Sequence, residues 1–219
     1  MKKLVLCLFG CLLILSGCKS EMLTADTLPW VSDEPVLFSD DFSSQTGGWR
    51  TNEDRLSFIG YSQGGFRLWV DLPDYQVWSV PGLNFKNVHL HTRAHKIAGP
   101  NDNLFGLICR YQNEENYYAL VVSSDGYYGI IKKQAGIQNL LGMDELGYSE
   151  VINREDAANE ILGICQGEQL ALFVNGVQLI EVSDASFAYG DIGLLAGNRA
   201  QPGADVLFDY LIVINPSRR

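Results

Sequence analysis

Hydrophobic and polar positions alternate with a period of two along most of this chain. Phe66-Arg67-Leu68-Trp69-Val70 shows the alternation, as do Val88 to Ala94, Leu104 to Tyr111 and Tyr117 to Val122. Tyr127 to Lys133, Ile161 to Cys165, Leu170 to Val174, Val177 to Val182, Ile192 to Ala196 and Val206 to Ile214 continue it. A strand points successive side chains to opposite faces, so this period predicts half-buried β-strands. Asp125-Gly126 and Asn175-Gly176 each stand between two such segments. Both dipeptides tolerate the positive φ angles of a type I′ hairpin turn. Many short strands at this spacing predict an all-β, two-sheet antiparallel sandwich or a barrel. Only residues 144–160 leave room for a turn or two of helix.

The first residues follow another pattern. Lys2 and Lys3 precede an apolar run from Leu4 to Leu15, broken by Gly10. That run is shorter than the roughly 20 residues of a comfortable membrane span and reads as an export signal over residues 1–17. Its end, Leu15-Ser16-Gly17-Cys18, resembles the lipobox of bacterial lipoproteins, in which the cysteine thiol takes the lipid. The expectation is a mature chain anchored to a membrane through lipid on Cys18 and facing the extracytoplasmic side of a cell envelope. Residues 18–35 are polar, proline-punctuated and aperiodic, as a tether is. The domain is expected over residues 36–215.

Charge and cysteine content narrow the partners. Without Lys2 and Lys3 the chain carries 14 Lys and Arg against 26 Asp and Glu, a net charge near −12. Such a surface repels nucleic acid and anionic headgroups. Size and charge are compatible with a monomer. After loss of Cys7 and Cys11 with the signal and acylation of Cys18, Cys109 and Cys165 remain, both in alternating segments. An isolated pair in an oxidising compartment points to a disulfide, the alternative being two buried thiols.

Several segments in order resemble the concanavalin A-like (laminin G-like) jelly rolls of bacterial envelope proteins. They are Leu37-Phe38-Ser39-Asp40-Asp41-Phe42 with Gly48-Trp49, and Phe105-Gly106-Leu107-Ile108-Cys109-Arg110-Tyr111 leading to Asn116-Tyr117-Tyr118. Ser124-Asp125-Gly126-Tyr127-Tyr128, Leu172-Phe173-Val174-Asn175-Gly176, Gly190-Asp191-Ile192-Gly193-Leu194 and Phe208-Asp209-Tyr210 complete the set. The nearest branch is the 3-keto-disaccharide hydrolase group. The resemblance implies two curved antiparallel sheets. It leaves three roles open: glycan binding, glycan processing, and a structural or adhesive role with a protein partner.

Gly60-Tyr61-Ser62-Gln63-Gly64 matches the nucleophile elbow of serine hydrolases, but Gly65 and a strand follow it where the elbow needs a helix, so it reads as a turn. His89, His91, Arg93 and His95 share one face of one strand. Two imidazoles at that spacing can chelate Zn²⁺ or Cu²⁺, and the four side chains can equally form a polar ligand-facing surface or a solvated sheet face, which is the favoured reading. Asp40, Asp41 and Asp209 come together if the terminal strands are neighbours, and clustered carboxylates suit a structural Ca²⁺. No other cofactor is implied. Asp144, Glu145 and Glu150 are surface acids near a rim loop, and the E-x-D-x-x-E motif of glucanases with this fold is absent. Sugar rings stack on aromatic faces. Trp69, which shares a strand face with Arg67 and Asp71, and Tyr75 and Trp78, in a loop-like stretch bordering a groove, are the aromatic binding candidates, with Arg67, His89, His91 and Arg93 as the polar ones. Tyr111, Tyr117, Tyr118, Tyr127 and Tyr128 divide between core and surface. These features lead to a lipid-anchored, non-catalytic binding module for a glycan or another cell-surface polymer.

Overall fold

The structure is a computed structural model that describes residues 35–216. The expected signal peptide, Cys18, and the expected tether up to residue 34 lie outside the described residues.

Among the described residues, sixteen strands account for the regular structure. They are β1 (Val36–Asp40), β2 (Asn52–Glu53), β3 (Ser57–Ser62), β4 (Gly65–Val70), β5 (Gln76–Ser79), β6 (Val88–Ala98), β7 (Asn103–Asn113) and β8 (Asn116–Val122). There follow β9 (Tyr127–Gln134), β10 (Ile137–Leu140), β11 (Gly147–Tyr148), β12 (Asn159–Gln166), β13 (Gln169–Val174), β14 (Val177–Ser183), β15 (Asp191–Asn198) and β16 (Ala204–Ile214). No helix occurs among the described residues, and the turn of helix allowed over residues 144–160 is replaced by loops around the short strand β11.

The strands form two antiparallel sheets. A nine-stranded sheet runs β14-β13-β12-β6-β16-β4-β3-β2, with β1 beside β16. A seven-stranded sheet runs β10-β9-β8-β7-β15-β5, with β11 beside β9. The alternation explains the layering. Phe66, Leu68, Val70, Leu90, Val206 and Phe208 project inward from the first sheet, and Phe105, Leu107, Leu120, Ile130 and Leu194 project inward from the second. Burying each such side chain contributes about 1.5–3 kcal/mol against an exposed reference. Cys109 of β7 and Cys165 of β12 are joined by a disulfide that crosses this core from one sheet to the other.

Turn chemistry sets the registers. Asn175 and Gly176 both have positive φ (50° and 82°) and pair Val174 with Val177 in a two-residue turn. Gln63 and Gly64 do the same (55° and 77°) between Ser62 and Gly65. The elbow-like motif is therefore a hairpin with its serine at a strand end. Asp125-Gly126 departs from expectation: the connection is a four-residue loop, Ser123 to Gly126, in which only Gly126 has positive φ. The Ser123 hydroxyl donates to the Asp125 carboxylate, and the Tyr127 amide donates to the same hydroxyl at 2.9 Å.

Candidate functional site

The outward face of the seven-stranded sheet begins with an anomaly of pattern. Strand β8 is buried on both sides: Tyr118, Leu120 and Val122 face the core, while Tyr117, Ala119 and Val121 face outward and are equally buried. The outward set packs with Ile108, Tyr111, Ile131 and Leu195 into a second apolar layer, on which Trp78, Leu140 and Leu146 rest.

This layer is covered because the sheet curls over it. Five inter-strand spacings separate β5 from β10, which in a flat sheet would hold them about 24 Å apart. Yet the Gln138 amide of β10 donates to the Gln76 side-chain oxygen of β5 at 2.9 Å. The face is therefore concave, with its two edges bridged. Across the hollow, register places Tyr117 beside Lys133 and Lys133 beside Gln138. Trp78 leans over from β5, its ring centroid 6.0 Å from that of Tyr117, with its indole N–H directed at the Tyr111 hydroxyl at 3.4 Å. The Lys133 ammonium lies 5.5 Å from the Trp78 centroid and 5.6 Å from the Tyr117 centroid, within cation–π range. Burial, followed by the nearby Tyr111, pushes the Tyr117 hydroxyl up to about 12, so it stays protonated at any physiological pH.

The open part of this hollow has a volume of about 560 Å³ and is lined by Tyr75, Gln76, Trp78, Lys133 and Gln138, with Asp74, Glu114 and Arg199 on its loops. Two further hollows adjoin it. One of about 750 Å³ shares Arg199 and adds Tyr127, Tyr148 and Leu146. The other, of about 480 Å³, shares Glu114 and Lys133. Together they make a polar-walled trough with aromatic patches. Its acids are held or solvent-facing. Asp102 is paired with Arg199 at 3.1 Å, Asp125 accepts from Ser123, and Asp74, Glu114 and Glu145 are exposed.

The outward face of the nine-stranded sheet is built differently. The Arg67 guanidinium holds the buried Asp205 in a two-pronged contact, 2.8 and 2.6 Å, and lies over the Phe58 ring. Glu160, Arg93 and Tyr210 occupy one row across β12, β6 and β16. The Tyr210 hydroxyl donates to Glu160 at 2.6 Å, His91 Nε2 lies 3.3 Å from the same carboxylate oxygen, and Arg93 reaches Asp209 at 2.8 Å. Partial burial would raise the Glu160 carboxyl, but hydrogen bonds from His91 and Tyr210 and the adjoining positive charge outweigh it, so the group sits below the usual range. Desolvation and this carboxylate push the Tyr210 hydroxyl strongly upward.

The binding candidates read from sequence therefore fall on two opposite faces. Tyr75 and Trp78 line the trough, Trp78 from strand β5 and Tyr75 from the loop before it, 51% exposed. Arg67, Trp69, His89, His91 and Arg93 lie on the far sheet, where Arg67 is committed to Asp205 and His91 is only 1% exposed. The terminal strands are neighbours as expected, but the three aspartates have separate partners. Asp40 accepts from the Phe42 amide and the Trp49 indole, Asp41 from Ser43, and Asp209 pairs with Arg93. Among the described residues no three His, Cys, Asp or Glu side chains are arranged to hold a metal ion. Sequence reasoning missed Lys133, Gln76, Gln138 and Arg199. The doubly apolar β8, followed by a β9 whose outward positions end in Lys133, is the signal that points to them.

With this geometry the class is settled: a jelly-roll sandwich of the concanavalin A-like, galectin-like kind. No protein-family model matches the chain, and no curated protein matches it. Solved structures do share the fold. A protein of unknown function with a galectin-like fold from Bacillus subtilis superposes with a TM-score of 0.63 at 13% identity, covering 85% of this chain and 99% of that one. The carbohydrate-binding module CBM66 from Bacillus subtilis gives 0.60 at 14%, covering 74% and 91%. The Bacillus licheniformis β-glucanase gives 0.61 at 10%, covering 84% and 100%. At such identities the likeness is one of fold.

Proposed function

We propose that this domain is a non-catalytic glycan-binding module, carried on a lipid-anchored protein of a bacterial cell envelope. The observation that carries the reading is the concave face, where Trp78 offers an apolar ring beside the amides of Gln76 and Gln138 and the Lys133 ammonium. A pyranose presents apolar C–H faces and a rim of hydroxyls, and this mixture of ring and polar groups complements both. A glycosidase needs two carboxylates at a defined separation about the scissile bond. The strands of the floor contribute amides, tyrosines and a lysine there, while the carboxylates belong to loops and are exposed or already engaged. The fold shared with a carbohydrate-binding module is consistent with this reading, and shared equally with a glucanase it does not choose between binding and hydrolysis.

The test is a glycan array probed with the protein and with Trp78→Ala, followed by a reducing-sugar assay on every hit. Binding without sugar release, weakened at least about tenfold by Trp78→Ala, is expected. Release of reducing ends from a bound glycan would replace binding by hydrolysis. The anchor is tested separately: labelled palmitate should enter the wild-type chain and fail to enter Cys18→Ser.

A further inference from the structure

Lys133 is the feature of the trough that glycan binding in general does not explain. In this acidic domain most cations at least partly withdrawn from solvent have an oxygen partner. Arg67 has Asp205, Lys96 has Asp156, Lys132 has Asp184, and the buried Arg110 donates to the Phe187 and Gly167 carbonyls. Arg50, Arg55, Lys86 and Arg154 have no carboxylate within ion-pair distance among the described residues, but they are exposed. Lys133 is half-buried and, among the described residues, has neither a carboxylate nor a hydrogen-bond acceptor. Its ammonium is held instead by the faces of Trp78 and Tyr117. A partly desolvated charge without a counterion is unfavourable, and ring quadrupoles compensate only part of the loss.

The position of that charge gives it a use. It sits beside Trp78, the one indole among the described residues that lines the hollow, at the junction with the neighbouring hollow, and next to the Gln138 amide in register. A sugar ring stacked on Trp78 would therefore present its substituents toward an ammonium that lacks an anion. We infer that the ligand carries a carboxylate on the sugar that occupies Trp78: a hexuronate or similarly carboxylated unit, its ring on the indole and its acid group paired with Lys133. The inference rests on the glycan-binding reading and specifies the class of sugar. Charge-assisted pairing in a partly dry site is stronger than neutral hydrogen bonding, so the acid group is expected to be worth about tenfold in affinity.

The experiment compares matched oligosaccharides that differ only at the carboxyl group. Glucuronate-, galacturonate-, mannuronate- and guluronate-containing oligomers are titrated calorimetrically into the full chain, each beside its carboxyl-reduced counterpart. The wild type is expected to favour at least one acidic member by about tenfold, and Lys133→Met to lose that preference while still binding the reduced counterpart. Lys86→Met, which removes an exposed charge elsewhere, should retain it. Equal affinity for every acidic and reduced pair in the wild type would overturn the inference and leave glycan binding standing. So would a preference that survives in Lys133→Met. Binding to no member of either series, with the fold confirmed by circular dichroism, would sink both the inference and the reading beneath it.

Discussion

The two outward faces of the sandwich contrast in how their charges are used. On the nine-stranded sheet the polar groups mostly answer one another: Arg67 with Asp205, Arg93 with Asp209, and Glu160 with His91 and Tyr210. On the seven-stranded sheet the edges bend together over an aromatic floor, and the central cation, Lys133, has no carboxylate partner among the described residues. The first arrangement rigidifies a sheet; the second leaves bonding capacity for something from outside. A list of polar and aromatic residues does not separate these cases, because both faces contain tryptophan, tyrosine and arginine or lysine. Partnership does.

Four variants probe this contrast, and the largest effect belongs to the link between the faces. Cys109→Ala with Cys165→Ala opens a bridge spanning 56 residues of sequence. In the chain-entropy account this removes about 4 kcal/mol of stability, which urea unfolding of the oxidised wild type and the double variant would measure. Asp205→Ala strands the half-buried Arg67 and is expected to lower stability by about 2 kcal/mol, with glycan binding unchanged; a loss of binding at constant stability would put the ligand on the wrong face. Glu160→Gln is next, at about 1 kcal/mol near neutral pH. The folded-state pKa of Glu160 is depressed. Its contribution is therefore present above the unfolded value and lost as pH falls through the folded one. The stability difference between wild type and Glu160→Gln should accordingly shrink below about pH 4, as thermal melts across an acid series would show. Arg93→Ala is the smallest. Its side chain is 50% exposed, and the loss should stay under about 0.5 kcal/mol in physiological salt.

Much of the fold was legible because a strand with one wet face writes its orientation into the sequence. Strands β4 and β12 alternate cleanly, and on β6 the side of His89, His91 and Arg93 could be assigned from parity alone, although His91 is itself buried there. Strand β3 was obscured because its end coincides with an elbow-like motif and its burial is uneven. Residues 144–158 had no period to read. Much of their order comes from side-chain bonds: the Asn175 side chain, from the next hairpin, donates to the Val151 carbonyl and to Asn159, and the Asn153 amide donates to Asn159. The site was half legible. Tyr75 and Trp78 announced themselves as aromatics in a polar stretch, although Trp78 proved to stand on a strand. Lys133 looked like any solvated lysine, since its significance depends on a tryptophan 55 residues earlier in the chain reaching it across a curled sheet. Gln76 and Gln138 belong to opposite sheet edges, and no local pattern reveals that they touch.

Strand β1 beside β16 has a consequence for how the domain can be rewired. The Asn215 amide donates to the Pro35 carbonyl at 3.0 Å, so entry and exit of the body are one peptide width apart. A few glycines would splice them into a closed loop, and the backbone could then be cut at a hairpin tip such as Ala135-Gly136 without crossing the core. The same closeness lets this body be inserted as a cassette into a surface loop of an unrelated host, with the trough left open on its far side.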